Sequence, residues 1–125
     1  MHIVLIEPEI PQNTGNISRT CVMTGSTLHL VGELGFSIED RYLRRAGLDY
    51  WPYLTFYRYP DFDSLLQKHR EHRFYFFTTK AKKSYTEISY TNNDFLVFGK
   101  ETAGLPPQIL QKWQDNCLRI PMVDN

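Results

Sequence analysis

IVLIEPEIPQNTGNISRTC, residues 3–21, decides the fold. IVLI (3–6) is apolar throughout, which suits a strand covered on both faces of a parallel sheet. PEIPQNTG turns the chain, and the spacing that follows predicts a helix over Thr14 to Thr24, capped by Asn13 or Thr14 and ended by Gly25. Strand, sharp turn and helix in this order open an α/β unit, and in such sheets ligands bind beyond the carboxyl ends of the strands. At about 100° per residue, Gly15, Asn16, Arg19 and Met23 share one side of the helix, opposite Thr14, Ile17 and Cys21. Gly15 then lets a ligand or another chain approach the backbone, the amides of the first turn favour an anion, and Arg19 projects beside the turn. The plainer alternative is that Asn13 caps the helix and Arg19 is a solvated surface charge.

Short strand-like runs recur along the rest of the chain: LHLV (28–31), LTFYRY (54–59), FYFFTT (74–79), FLVFG (95–99) and CLRIP (117–121). The runs at 3–6, 74–79 and 95–99 read as central strands, whereas LTFYRY alternates and reads as lying nearer an edge. Between them, Glu39 to Ala46 is a charged helix ended by Gly47, Asp61 caps FDSLLQKHR, and Pro106 and Pro107 open a helix through Trp113. The longest loop is SYTEISYTNND (84–94). The expectation is one α/β domain over 1–125, with a mainly parallel sheet and helices on both faces.

The totals narrow the function. A chain of 125 residues buries roughly two-thirds of its unfolded surface. Lys plus Arg equals Asp plus Glu at 14 each, which argues against coating nucleic acid by bulk charge but leaves room for a local basic face. Two distant cysteines, Cys21 and Cys117, give neither a disulfide framework nor a zinc spacing and read as small buried side chains. No leader pattern is evident, since Glu7 and Glu9 follow the first strand directly, and no apolar run approaches the ~20 residues of a membrane span. The expected setting is cytoplasmic, without membrane contact.

Two further strand-end segments stand out. In FGKETAGLPP (98–107), Gly99 and Gly104 bracket Glu101 where the chain must turn sharply. Glu101 is suited to accept hydrogen bonds from a ribose or a guanidinium, or else is a first-turn acid before the Pro106 helix. In RIPM (119–122), Pro121 ends the last strand. Three such loops suit a purine-like ligand read by backbone. Neither the dinucleotide pattern G-x-G-x-x-G nor the P-loop pattern G-x-x-x-x-G-K-[ST] occurs.

EPEIPQNTGNISRTC, RRAGLDY (44–50), FGKETAGLP and RIPM together resemble the SPOUT superfamily of methyltransferases, and within it the small tRNA ribose 2'-O-methyltransferases that modify cytidine or uridine 34. The resemblance spans essentially the whole chain. It implies a trefoil-knotted α/β fold, a homodimer, S-adenosyl-L-methionine bound without a metal, and the tRNA anticodon stem-loop as partner. It also implies that Asn13, Arg19 and Glu101 form the catalytic face. The cofactor would be held around Phe77, Thr78, Gly99, Glu101, Gly104, Leu105, Ile120 and Met122. In the family, the third motif continues into a Ser/Asn-rich turn and a final helix. This chain ends at VDN, so the expectation is a domain lacking its C-terminal segment.

An RNA partner calls for a basic surface. Arg41, Arg44 and Arg45 form one cluster and Lys80, Lys82 and Lys83 another, with Tyr85 and Tyr90 as a stacking face for an unpaired base. His69 and His72 share a helical spacing but lack a third ligand, and His2 and His29 read as packing or hydrogen-bonding residues. Three rival readings stand beside this one: a methyltransferase acting on another tRNA or rRNA ribose, a non-catalytic RNA-binding or dimerisation module, and a generic phosphate-binding α/β protein.

Overall fold

The apolar run at 3–6 becomes strand β1 (His2–Ile6), and its alternating side chains serve two cores. Val4 and Ile6 join Val31, Phe62, Leu65, Phe74, Phe76, Phe95 and Val97 on one face, while Leu5 meets Cys21, Leu28 and Leu30 on the other. The computed structural model describes residues 1–37, 52–79 and 81–119. Within them, β2 (Thr27–Val31), β3 (Phe56–Tyr59), β4 (Phe74–Phe77), β5 (Phe95–Phe98) and β6 (Cys117–Leu118) complete a six-stranded sheet in the order β3-β2-β1-β5-β4-β6. Every pairing is parallel. β3 is an edge strand, as its alternation predicts, and Tyr57 and Arg58 on it are exposed.

Helix α1 (Pro11–Thr24) lays Ile17 and Cys21 on the second core. Helix α2 (Phe62–Lys68), capped by Asp61 accepting from the Ser64 amide, sends Phe62 and Leu65 into the first. Helix α3 (Pro107–Lys112) adds Ile109 and Leu110 there. Helices therefore cover both faces, and the expected α/β architecture is present. The expected helix at 39–46 and the RRAGLDY segment lie outside the described residues.

Loop 84–94 carries a short 3-10 turn, Tyr85–Glu87, fixed by a reciprocal Ser84–Glu87 capping box. At the end of β6, the Thr78 amide donates to Leu118 O (2.9 Å) on one side. On the other, Arg119 N–H donates to Lys83 O (2.6 Å) and Tyr85 N–H to Arg119 O (3.2 Å). The chain leaving β6 thus runs between the end of β4 and the segment that returns from it. No helix among the described residues is long and apolar enough to cross a membrane.

All four histidines meet at the opposite, amino-terminal edge. His2 Nδ1 and His29 Nε2 share a hydrogen bond of 3.0 Å, and Tyr59 OH lies 3.3 Å from both His29 Nδ1 and His69 Nε2. Phe95 stacks flat on His2 (centroids 4.2 Å apart), and His72 lies 5.8 Å from His69. His69 and His72 both belong to this ring cluster, and among the described residues no group of three or more His, Cys, Asp or Glu could hold a metal. Burial pushes His2 down to about 4 and His29 to about 3, with mutual repulsion and the Met1 amino group and Lys68 acting in the same direction. The folded protein therefore holds these rings neutral at pH values where the unfolded chain, titrating near 6.5, takes up protons. Stability from this source is complete above about pH 6.5 and declines as pH falls towards 4. Thermal unfolding followed between pH 7.5 and 4.5 should show Tm falling below 6.5, with a shallower fall in His29→Gln; an unchanged slope would contradict this assignment.

Candidate active site

The chain leaving β1 passes to α1 over one face, and the chain leaving β5 passes to α3 over the other. β1 and β5 are neighbours in parallel register, with Leu5 beside Phe98. Adjacent strands whose connections depart in opposite directions open a crevice at their carboxyl ends, where α/β proteins bind ligands. The two strand-end segments 8–15 and 99–105 both lie at this crevice.

Hydrogen bonds across more than ninety residues lock the two loops. Glu9 N–H donates to Glu101 Oε2 (2.8 Å), while Thr102 donates to Glu9 Oε1 through both its amide (3.0 Å) and its hydroxyl (2.7 Å). The Thr102 bonds, with Lys100 nearby, hold the Glu9 carboxyl below the usual carboxylate range. Glu101 thus accepts first from protein backbone. The alternative of a first-turn acid is excluded, because α3 starts at Pro107 with no acid in its first turn.

The second loop closes on itself. Gly104 N–H donates to Lys100 O (2.8 Å), and a Cβ on Gly99 would lie 2.0 Å from the Gly104 carbonyl carbon. No side chain fits there. Gly104 has φ of +69° and faces open space, with nothing within 4 Å of where its Cβ would be. Leu105 turns its side chain into the core, so what it offers a ligand is main chain. Phe77, at the end of β4, stacks on Phe98 with centroids 4.8 Å apart, and the next residue is Thr78.

The first loop departs from expectation in three ways. α1 begins at Pro11, not Thr14, because proline suits a first helical position whose amide has no partner. Ile10 occupies the cap without a side-chain bond, so neither Asn13 nor Thr14 caps the helix; the Thr14 hydroxyl is buried with no hydrogen-bond partner. Gly15 is buried with Thr14, Ser18 and Cys21, so it faces inward and does not present backbone to a ligand. Asn13 lies exposed in the first turn, and Asn16, Arg19 and Met23 are exposed further along α1.

Lys82 and Lys83 are exposed beside a groove of about 940 Å³ that Thr78, Gln111, Gln114 and Asp115 also line. Of the two tyrosines, Tyr85 is exposed, but Tyr90 is half-buried, donating its hydroxyl to Tyr85 O and packing edge-on against Tyr75. Arg41, Arg44, Arg45, Lys80, Ile120 and Met122 lie outside the described residues. Both cysteines are buried, and burial pushes Cys21 up to about 11 and raises Cys117, which disfavours the thiolate form of each. Sequence reading misses Glu9 and Thr102; the only signal is two polar residues inside the marked loops, without the strand order that makes them neighbours.

Fold and crevice define a parallel α/β protein with two loops clasped at the switch between β1 and β5. Residues 1–125 match the SpoU rRNA Methylase family, and the chain belongs to it. A "Putative tRNA (cytidine(34)-2'-O)-methyltransferase" of Listeria monocytogenes is 52% identical over 99% of this chain and 75% of its own length. The "tRNA (cytidine(34)-2'-O)-methyltransferase" of Escherichia coli K12 is 44% identical over 98% and 79%. A solved structure described as "Structural insights into the 2-OH methylation of C/U34 on tRNA" superimposes with a TM-score of 0.91 at 39% identity, covering 99% of this chain and 81% of that one. The AdoMet complex of AviRb from Streptomyces viridochromogenes shares the fold at TM-score 0.85 and 20% identity, over 99% of this chain and 49% of that one.

Because backbone occupies the space a Gly99 side chain needs, Gly99→Ala should cost on the order of 3 kcal/mol or more, or prevent folding. Gly104→Ala has room and carries only the left-handed backbone cost of about 1–2 kcal/mol. Urea unfolding of the two variants checks this order, and equal losses would contradict it.

Proposed function

We propose that this chain transfers a methyl group from S-adenosyl-L-methionine to the ribose 2'-hydroxyl of nucleotide 34, cytidine or uridine, in tRNA. The observation that carries the reading is the crevice between β1 and β5, where two loops are locked together around Glu9, Glu101 and Thr102. The names of the relatives support the reaction and the nucleotide. The bare Cα of Gly104, facing open space, suits a flat adenosine read by main chain at Phe77, Thr78 and Gly99. S-adenosylmethionine supplies a methyl already activated on a positive sulfur. The reading assigns no metal.

The protein's part is alignment and charge. Holding the ribose hydroxyl in line is worth on the order of 7–11 kcal/mol in well-oriented systems. As that hydroxyl gives up its proton to solvent its oxygen gains negative charge, and as the O–C bond forms the C–S bond breaks and S-adenosylhomocysteine leaves. Arg19 is suited to stabilise this charge, since a guanidinium stays protonated and so serves poorly as a base. Asn13 lies in the first turn of the same helix, and Glu101 Oε1 is the acceptor we assign to the ribose or to Arg19.

Lys82 and Lys83, exposed beside the end of β4, give the anticodon stem-loop a local basic contact on a neutral protein. Met23 is 73% exposed on α1, and Ile3, Ile17, Cys21 and Phe98 line an apolar cleft of about 560 Å³. This surface supports a homodimer. The substrate implies a cytoplasmic enzyme.

Incubating unmodified tRNA with isotopically labelled S-adenosylmethionine, then mapping the label by mass spectrometry of nuclease fragments, should find one 2'-O-methyl at position 34. Label at another ribose, or in rRNA, would transfer the reading to a different substrate, and no label would overturn it. Arg19→Ala should lower turnover at least ~100-fold while leaving S-adenosylhomocysteine affinity unchanged. A comparable loss of affinity would show that Arg19 holds the cofactor and does not stabilise the reacting hydroxyl.

A further inference from the structure

Glu9 stands where three segments meet. Its side chain accepts twice from Thr102, its amide donates to Glu101, and a Cβ on Gly35 would lie 3.0 Å from its Cα. The preceding peptide is tied to the same place, since Gly35 N–H donates to Pro8 O (2.9 Å). Two residues earlier, Glu7 adopts a left-handed backbone (φ 49°), unusual for a residue other than glycine, as the chain leaves β1. The exchange with the 99–105 loop is reciprocal: each loop contributes one carboxylate and one backbone amide.

We infer that Glu9 is a positioning residue of the methyl-transfer site, orienting the Glu101 carboxylate and the Thr102 amide so that the 99–105 loop is preset for its ligands. This rests on the methyltransferase reading above. The clasp is exposed to water, so it adds little to global stability. What it fixes is direction. Oε2 of Glu101 is engaged by the Glu9 amide, which ties that carboxylate to the clasp. Thr102 is oriented by two charge-assisted bonds converging on one oxygen. Misplacing such groups by an ångström costs a site far more than it costs a fold.

The test compares the 125-residue chain with its Glu9→Ala, Glu9→Gln and Thr102→Val variants in three measurements: residue-resolved amide exchange, calorimetric titration with S-adenosylhomocysteine, and steady-state methylation of tRNA. Glu9→Ala should speed exchange at Thr102 on the order of tenfold while the amides of β5 and the Tm stay as in the parent. Affinity for S-adenosylhomocysteine or kcat should fall on the order of tenfold or more, with KM for tRNA unchanged. Glu9→Gln keeps an oxygen able to accept both Thr102 bonds and should recover most of the loss. Thr102→Val should behave as an intermediate case, and adding it to Glu9→Ala should cost nothing further. Unchanged Thr102 exchange in Glu9→Ala would show that no clasp operates. Fast exchange with parental affinity and turnover would show a clasp without a positioning role, and a fall in Tm matching the fall in activity would make Glu9 structural. If the parent neither binds S-adenosylhomocysteine nor methylates tRNA, the functional reading itself fails and the inference with it, whatever the exchange shows.

Discussion

The carboxyl edge depends on one close contact, the approach of Gly99 to the Gly104–Leu105 peptide. It allows β5 to stop, fold back and return Leu105 to the core within a few residues. Only then do Glu101 and Thr102 project towards the loop leaving β1. Parallel pairing of β1 and β5 brings the two strand ends level, and departure to opposite faces keeps the space between them open. A side chain at residue 99 would push the returning peptide away and separate the two loops.

The sheet also sorts chemistry by direction. At the amino-terminal edge, polar rings are packed and held neutral, with His2, His29, Tyr59 and His69 sharing hydrogen bonds beside Phe95. Nearby, Asp94 is buried but fully engaged by Arg73 and Thr91. At the carboxyl edge, Glu101 accepts from a backbone amide and Glu9 from both the amide and the hydroxyl of Thr102. The first arrangement stabilises a fold, and the second leaves groups able to meet a ligand. A net charge of zero is compatible with nucleic-acid work because charge is distributed by edge and face.

Much of this is legible in the sequence. Apolar runs locate every strand of the described sheet, alternation marks β3 as an edge, and Asp61 and the Pro106–Pro107 pair mark helix starts. Strand order is not legible, because pairing between residues ninety positions apart leaves no local pattern. Hence Glu9 and Thr102 escape notice, and four scattered histidines give no hint of a cluster. The phase of α1 fails for a different reason. Angle alone places Gly15 with Arg19, but a residue without a side chain can sit on the buried flank and let the helix lie close to the sheet. Its burial beside Thr14, Ser18 and Cys21 shows that it does.

The β1–β5 crevice is the site we propose for the nucleotide cofactor. The most direct measurement is a map of backbone amide shifts as S-adenosylhomocysteine is added to the isotopically labelled chain. Shifts should be confined to Thr78, the 99–105 loop and the first turn of α1, with the histidine cluster unmoved. Saturable shifts centred instead on the cleft lined by Ile3, Cys21 and Phe98, or no shifts at millimolar ligand, would contradict that assignment.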